Sequence, residues 1–407
     1  MPLAVHRTTE GAALELADIF RAEGARYRAS HRLSMHQQRV MHAIEVCRTP
    51  ELGGHVAACD HCAATTLHYH SCRNRCCPKC QTLTKQRWVE ARQAELLDIE
   101  QYFHVVFTLP HALNPLAQGN PRLLYNLLFQ CAAATLQGFA RTPKWLGSAG
   151  ELGITMVLHT WSQNLGQHNH VHCVVTGGSL SLDGQRWLAA PPGFLFPVGA
   201  LSTVFRAKYL DALKRAAKHG ELHFDGSTAE LAAPEHFTVF LASLRSHDWV
   251  VYAKRPFAGP QQVIAYLGRY THRIALSNHR LVEFSQGKVR FRWRDYRHAN
   301  RVKTMTLSSD EFIRRFLLHV LPSGFMRIRH FGLLANRCRG VKLAHTRELL
   351  QQPPPLKPIA ESAAELMLRL TGRDIERCPH CTLGKLFVVA VLLPRTRGPP
   401  QATGPPR

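Results

Sequence analysis

The sequence predicts a mixed α/β (α+β) protein with a small cysteine-rich module near its start, and three observations lead there. Short β-branched runs at 103–109, 154–161 and 170–176 are interspersed with long amphipathic stretches, an order that suits a sheet with helices packed on it better than a helix bundle. Residues 289–294 alternate strictly between apolar side chains and arginine, the period of a half-buried strand. Two Cys-x2-Cys pairs fall within 53–81, the mark of a metal-held module rather than of a further strand or helix.

Taken in order, residues 10–48 read as helical, with Leu14, Leu16, Ile19 and Phe20, then Val40, Ile44 and Val46, as core positions. The cysteine module follows, then a helix from Gln86 to Glu100. Phe103 to Leu109 is a buried strand ended by Pro110, and 121–141 carries Leu123, Leu124, Leu127, Leu128, Phe129, Leu136 and Phe139 at helical spacing. Ile154 to Trp161 and His170 to Thr176 are strands, the second stopping at Gly177-Gly178. Leu201 to His219 is a helix, and Pro260 opens another that bears Tyr266 and Tyr270. Gln351-Gln352-Pro353-Pro354-Pro355 reads as a linker and 395–407, rich in Pro, Gly and Arg, as disordered. No internal repeat is visible. Three segments result: a helical and zinc-binding domain over 1–98, a main domain over 99–350, and a linker, Cys-x2-Cys segment and tail over 351–407.

The 407 residues are 45% hydrophobic, ordinary for a globular chain, but the formal charge is +23 and the pI about 10.0. Lys254 to Arg347 holds twenty Lys/Arg against four Asp/Glu, so that stretch alone carries +16. Such single-sign charge suits a polyanion, and a nucleic-acid backbone more than a membrane. The longest apolar run, Leu386 to Leu393, suits one strand and is far too short to span a bilayer. The first twenty residues lack the apolar core of a signal peptide. Twelve cysteines without an export signal point to a reducing compartment and to metal binding, with the cytoplasm as default.

Cys59-x2-Cys62 and Cys77-x2-Cys80 are fourteen residues apart, near the spacing of a structural four-thiolate zinc site with no open position. Cys72 and Cys76 are rival ligands; Cys77 is preferred because it pairs with Cys80 through Pro78-Lys79. Arg73, Arg75, Lys79, Lys85 and Arg87 surround the module. Cys378-Pro379-His380-Cys381 is a further Cys-x2-Cys, open to completion by Cys338, by His345, or by nothing.

Within His168-Asn169-His170-Val171-His172, strand alternation puts His170 and His172 on one face and Val171 and Cys173 on the other. Two imidazoles so placed form half of a divalent-metal site. Tyr266 and Tyr270 stand at i and i+4, one helical turn apart on a single face, with Arg269, His272 and Arg273 nearby to neutralise phosphate. A phenol can attack phosphorus where a metal polarises the phosphate.

These words together resemble the two-tyrosine HUH transposases of bacterial rolling-circle insertion sequences. The matching stretches are Gly53-Gly54-His55, Ser71 to Cys80, Phe107-Thr108-Leu109-Pro110, Leu158-His159-Thr160-Trp161, His168 to Val175, Tyr266 to Arg273, and Gly324 to Gly332, covering about 10–345. Cys76 stands where the family more often has His, and Asn169 where Pro is common. The resemblance implies an HUH endonuclease core, a five-stranded antiparallel sheet flanked by helices, with the zinc module and helical, basic parts added. It implies that His170 and His172 hold Mg²⁺ or Mn²⁺ and that Tyr266 and Tyr270 are nucleophiles. A third metal ligand is then expected. His159 is favoured by its spacing from His170, which is similar to the three-histidine site of conjugative relaxases, and His168 is the rival. The implied reaction is cleavage and transfer of single-stranded DNA through a 5′-phosphotyrosine, in the bacterial cytoplasm at the nucleoid. Arg269, Arg273, Arg290, Arg292, Arg294, Arg327 and Arg329 are the expected DNA contacts, with aromatic rings available for base stacking.

Two other functions share parts of this pattern. A plasmid relaxase or rolling-circle replication initiator would use the same chemistry, and a zinc-ribbon DNA-binding protein would use only the cysteines. A zinc hydrolase fits less well, because no carboxylate lies near the histidines to act as base.

Overall fold

The computed structural model describes residues 13–254, 262, 264, 268, 275–295, 298–355 and 360–395. The strands are β1 (Gly54–Cys59), β2 (Thr65–Tyr69), β3 (Tyr102–Thr108), β4 (Gly150–Trp161), β5 (Gln167–Ser181), β6 (Trp187–Ala189), β7 (Val251–Lys254), β8 (Leu281–Ser285), β9 (Lys288–Asp295), β10 (Arg301–Ser308), β11 (Ile328–Gly332) and β12 (Leu386–Leu392). The helices used below are α1 (Leu16–Ser30), α2 (Met35–Glu45), α3 (Thr82–Glu95), α4 (Pro121–Ala140) and α5 (Val198–Lys218). The chain forms two compact units, one of residues 1–84, 276–314 and 359–407, the other of 85–275 and 315–358. That division departs from the three consecutive segments expected, because strands distant in sequence pair within each unit.

The larger unit is built on an antiparallel sheet of order β11-β4-β5-β3-β7, with β6 added alongside β5. The mixed α/β class and the antiparallel sheet with flanking helices are as expected. Alternation along the three central strands gives the sheet two unlike faces. One face presents Phe103, Val105, Phe107, Ile154, Met156, Leu158, Val171, Cys173 and Val175, all buried in the main core with α4 and α5. Leu124, Leu128, Phe129 and Leu136 of α4 and Phe205, Tyr209 and Leu213 of α5 complete that core. Each fully buried side chain of this size contributes roughly 1.5–3 kcal/mol, so this layer anchors the sheet. The opposite face carries Tyr102, His104, His159, His170, His172, Val174 and Thr176.

β5 runs through the expected stop at Gly177-Gly178 and continues to Ser181. The Gly177 N–H bonds the Gln101 carbonyl at 2.9 Å, and a Cβ on Gly178 would lie 2.6 Å from the Trp187 ring. These glycines serve close packing inside a strand, not its termination.

In the smaller unit the 10–48 stretch is broken into α1 and α2, each opened by a capping box, Glu15 with Asp18 and Ser34 with Gln37. Leu16, Ile19, Phe20, Val40, Ile44 and Val46 are buried as expected, and Leu14 only partly. This unit holds two three-stranded antiparallel sheets, β12-β1-β2 and β10-β9-β8. The segment 360–395 is therefore folded: a helix spans Ala363–Thr371, and β12 pairs with β1; the tail expected to be disordered lies almost wholly outside the described residues. Among the described residues no helix is long and apolar enough to cross a membrane.

Candidate active site

The histidine face is fixed by cross-strand register. His159 of β4 lies directly opposite His170 of β5, and Val106 of β3 lies opposite His172. Donor atoms of His159, His170 and His172 all fall within 4.8 Å of one another, and the three side chains are buried. His168, the rival third ligand, lies ring to ring 4.7 Å from His170 but is not one of the three converging donors; its Nδ1 is 3.1 Å from His111 Nε2.

The tautomers follow from what the Nδ1 atoms meet. His170 Nδ1 lies 2.7 Å from the His168 carbonyl, which can only accept, so the ring proton sits on Nδ1 and Nε2 is bare. His172 Nδ1 lies 2.8 Å from His104 Nε2, a pairing that leaves His172 Nε2 bare when His172 donates. The two Nε2 atoms then stand 3.1 Å apart. Two lone pairs at that distance suit a shared cation, and the buried rings are held neutral, as ligands must be. Burial lowers His170 to about 3, with the neighbouring His168 adding to it, and pushes His172 well below the usual imidazole range, with His159 adding to it. The His159 ring stacks on Trp161 at 4.7 Å, which fixes its plane. Three imidazoles from two adjacent strands make a donor set that could hold a divalent ion and leave positions for substrate oxygens. His104, which braces His172, is the residue that motif reading passed over.

Tyr266, Tyr270, Arg269 and Arg273 lie outside the described residues, but Ile264 and Gly268 beside them do not. Both are helical and buried. Ile264 lines a cavity with Tyr102, Thr155, Val174 and Thr176, all on the histidine face of the sheet. A Cβ on Gly268 would lie 2.2 Å from Val89 Cγ2 of α3, so the backbone there is pressed against that helix.

The four cysteines expected to share one metal divide between two clusters. Cys77 and Cys80 join Cys72 and Cys47, while Cys59 and Cys62 join Cys378 and Cys381. Cys47 follows α2 as a single cysteine with no spacing motif to flag it, and Cys378 and Cys381 are brought over by the β12–β1 pairing. Cys76 belongs to neither set; its backbone N–H bonds Asn74 Oδ1 at 2.8 Å. Cys338 and His345 are likewise elsewhere. In the first cluster Cys80 Sγ lies 3.4 Å from Cys47 Sγ and 3.6 Å from Cys72 Sγ. Zn–S bonds of about 2.3 Å in a tetrahedron put sulfurs about 3.8 Å apart, whereas a disulfide needs about 2 Å.

Comparison with known proteins decides the family. One family model, described as "Transposase zinc-binding domain", matches residues 19–109, and another, described as "Putative transposase", matches 153–342. The chain is 51% identical over 397 residues, 97% of each chain, to "Putative transposase y4qJ" of Sinorhizobium fredii (strain NBRC 101917 / NGR234). It is 27% identical over 348 residues, 85% of this chain and 82% of the other, to the "Transposase for insertion sequence element IS801" of Pseudomonas savastanoi pv. phaseolicola. The chain belongs to the IS91/IS801 family of insertion-sequence transposases. No solved structure matches it.

Of the transposase's expected DNA contacts, Arg290, Arg292 and Arg294 share the exposed face of β9 with Lys288. Arg290 is partly neutralised by Glu283 at 2.8 Å. Val289 and Phe291 point the other way and are buried. Arg327 and Arg329 are placed differently. Arg327 is buried, and the Arg329 guanidinium sits 4.4 Å from the Phe129 ring centre and 5.0 Å from that of Phe325, bonded to the Met326 carbonyl. Arg327 is thus enclosed, while Arg329 is half-buried against two rings, a setting unlike the open arginine face of β9.

Proposed function

We propose that this transposase cleaves and transfers single-stranded DNA at the ends of its element, with Tyr266 and Tyr270 as nucleophiles. The phenolic oxygen of one tyrosine attacks the scissile phosphorus and the bond to the 3′ oxygen breaks. A 5′-phosphotyrosine forms, the phenol proton passes to solvent, and the departing 3′ oxygen takes up a proton to become a free hydroxyl. The energy of the broken diester is kept in the new one, so a 3′-OH can attack it later and restore the strand without ATP. The second tyrosine allows a second cleavage before the first link is resolved. His159, His170 and His172 would hold Mg²⁺ or Mn²⁺, which supplies Lewis-acid polarisation of the phosphate when bound.

The observation that carries this reading is the convergence of bare imidazole nitrogens on the sheet face that Ile264 also packs against. Ile264 and Gly268 bracket Tyr266 in sequence, and in this reading Ile264 brings the tyrosine segment to the histidine face. Arg290, Arg292 and Arg294 are a phosphate-binding surface in this reading, and Cys47, Cys72, Cys77 and Cys80 a structural zinc site.

The test is incubation of the purified transposase with labelled single-stranded oligonucleotides carrying the element ends, with Mn²⁺ or with chelator. A covalent protein–DNA adduct resistant to denaturation is expected with Mn²⁺ and lost with chelator. An adduct that survives in Tyr266→Phe/Tyr270→Phe overturns the assignment.

A further inference from the structure

We infer that Cys59, Cys62, Cys378 and Cys381 form a second structural zinc site, which fastens the far end of the chain into the β12-β1-β2 sheet. The residues 378 and 381 lie outside the stretch matched as a zinc-binding domain, 19–109. Cys59 Sγ is 3.6 Å from Cys381 Sγ, and Cys62 Sγ is 3.7 Å from Cys378 Sγ. These are close to the edges of a Zn–S tetrahedron and far from a disulfide.

Each Cys-x2-Cys is folded as a turn that aims backbone N–H groups at sulfur. The N–H groups of His61 and Cys62 point at Cys59 Sγ at 3.4 and 3.5 Å, that of His380 at Cys378 Sγ at 3.4 Å, and that of Gly384 at Cys381 Sγ at 3.4 Å. Four thiolates around Zn²⁺ leave a net double negative charge, and such donors stabilise it. The two turns are stitched together by Asp60, whose Oδ1 accepts the Lys385 N–H at 2.8 Å and whose N–H bonds the Lys385 carbonyl at 3.1 Å. Gly384 is required by the approach itself, since a Cβ there would lie 2.4 Å from Cys59 Sγ.

The metal also answers a stability question. β12 is apolar but exposed, with Phe387, Val388, Val389 and Val391 each at least half accessible. Burial of its side chains therefore does little to hold it on β1, and small sheets of this kind depend on a staple. Binding would release the thiol protons and supply the missing free energy.

The experiment counts zinc in the full chain, in a His170→Ala/His172→Ala background so that the histidine cluster takes none. Elemental analysis is expected to give two zinc ions per chain, and one after Cys378→Ser/Cys381→Ser is added. A background holding one ion, or no loss on that substitution, overturns the inference. Because the serine variant could unfold, Co²⁺ is titrated into the metal-free chain as a second measure. Sulfur-to-cobalt charge-transfer absorption should rise to two equivalents, and saturation at one overturns the second site.

Discussion

His104 Nε2 lies 2.8 Å from His172 Nδ1, with the two rings stacked 8° from parallel. A neutral imidazole presents only one bare nitrogen, so whichever atom of His172 carries the proton decides where its lone pair points. With His104 accepting, the lone pair of His172 faces His170. His104→Phe removes the acceptor while keeping a ring, and should weaken Mn²⁺ binding about 10–100-fold, the usual cost of losing a brace behind a metal ligand. His104→Gln, which can still accept, should recover part of it. Calorimetric titration with Mn²⁺ checks both, and equal affinities for His104→Phe and wild type would remove the bracing role.

The third ligand separates in the oligonucleotide adduct assay. His159 shares the buried cluster, whereas His168 pairs with His111. His159→Ala should reduce Mn²⁺-dependent adduct formation about 100-fold or more, and His168→Ala only a few-fold. The reverse order would transfer the role to His168.

The two predictions rest on parts of the site that were unequally legible. His170 and His172 are visible as an i, i+2 pair, because strand period alone puts them on one face. His159 could be favoured only through family spacing, and the β4–β5 register then sets it opposite His170. His104 carries no local signal, since its approach to His172 depends on how β3 is aligned with β5. The cysteines show the limit of spacing rules. Neighbouring Cys-x2-Cys pairs invite a single tetrahedron, yet Cys47 and Cys72 complete one cluster and a pair over three hundred residues away completes the other. Charge counting also cannot tell Arg292, exposed on β9, from Arg329, half-buried against Phe129 and Phe325.

That last contrast is testable by salt. Each phosphate contact adds about −0.7 to the slope of log K against log salt for single strands. Arg292→Ala/Arg294→Ala should therefore flatten the slope by about one to one and a half units, and Arg290→Ala should change it less, because Glu283 already holds Arg290. Arg329→Ala should leave the slope alone and lower the urea midpoint instead, by the ~1 kcal/mol of a half-buried cation on two rings. Fluorescence anisotropy against salt and urea unfolding read the two effects separately, and a slope change in Arg329→Ala would return it to the DNA surface.

Gly268 gives a test of the segment around the proposed tyrosines. A methyl there would lie 2.2 Å from Val89 Cγ2, and overpacking of this kind costs about 1–3 kcal/mol. Gly268→Ala should lower adduct formation at unchanged Mn²⁺ affinity, because the backbone at Gly268 must shift while the imidazoles stay. Val89→Ala in the same chain clears the space and should restore activity. If it restores nothing, the contact with α3 does not position this segment.

Acid should destabilise the larger unit over a defined window. His319 is buried, with Nε2 3.0 Å from the Leu165 carbonyl and Nδ1 3.2 Å from Thr160 Oγ1, and burial lowers it to about 4. His330 falls to about 4, through burial and then the adjacent Arg92, and His170 to about 3. In the unfolded chain these groups bind a proton near pH 6.5. Below that pH the unfolded state holds more protons than the folded one, so stability is fully present above about 6.5 and declines as pH falls toward 3–4. For His319 alone, a shift from 6.5 to about 4 corresponds to about 3 kcal/mol. His319→Gln keeps hydrogen-bonding capacity without a titrating ring, so its urea midpoint should fall less steeply between pH 6.5 and 4 than that of wild type. Parallel curves for the two proteins would mean that His319 is charged in the folded state as readily as in the unfolded one.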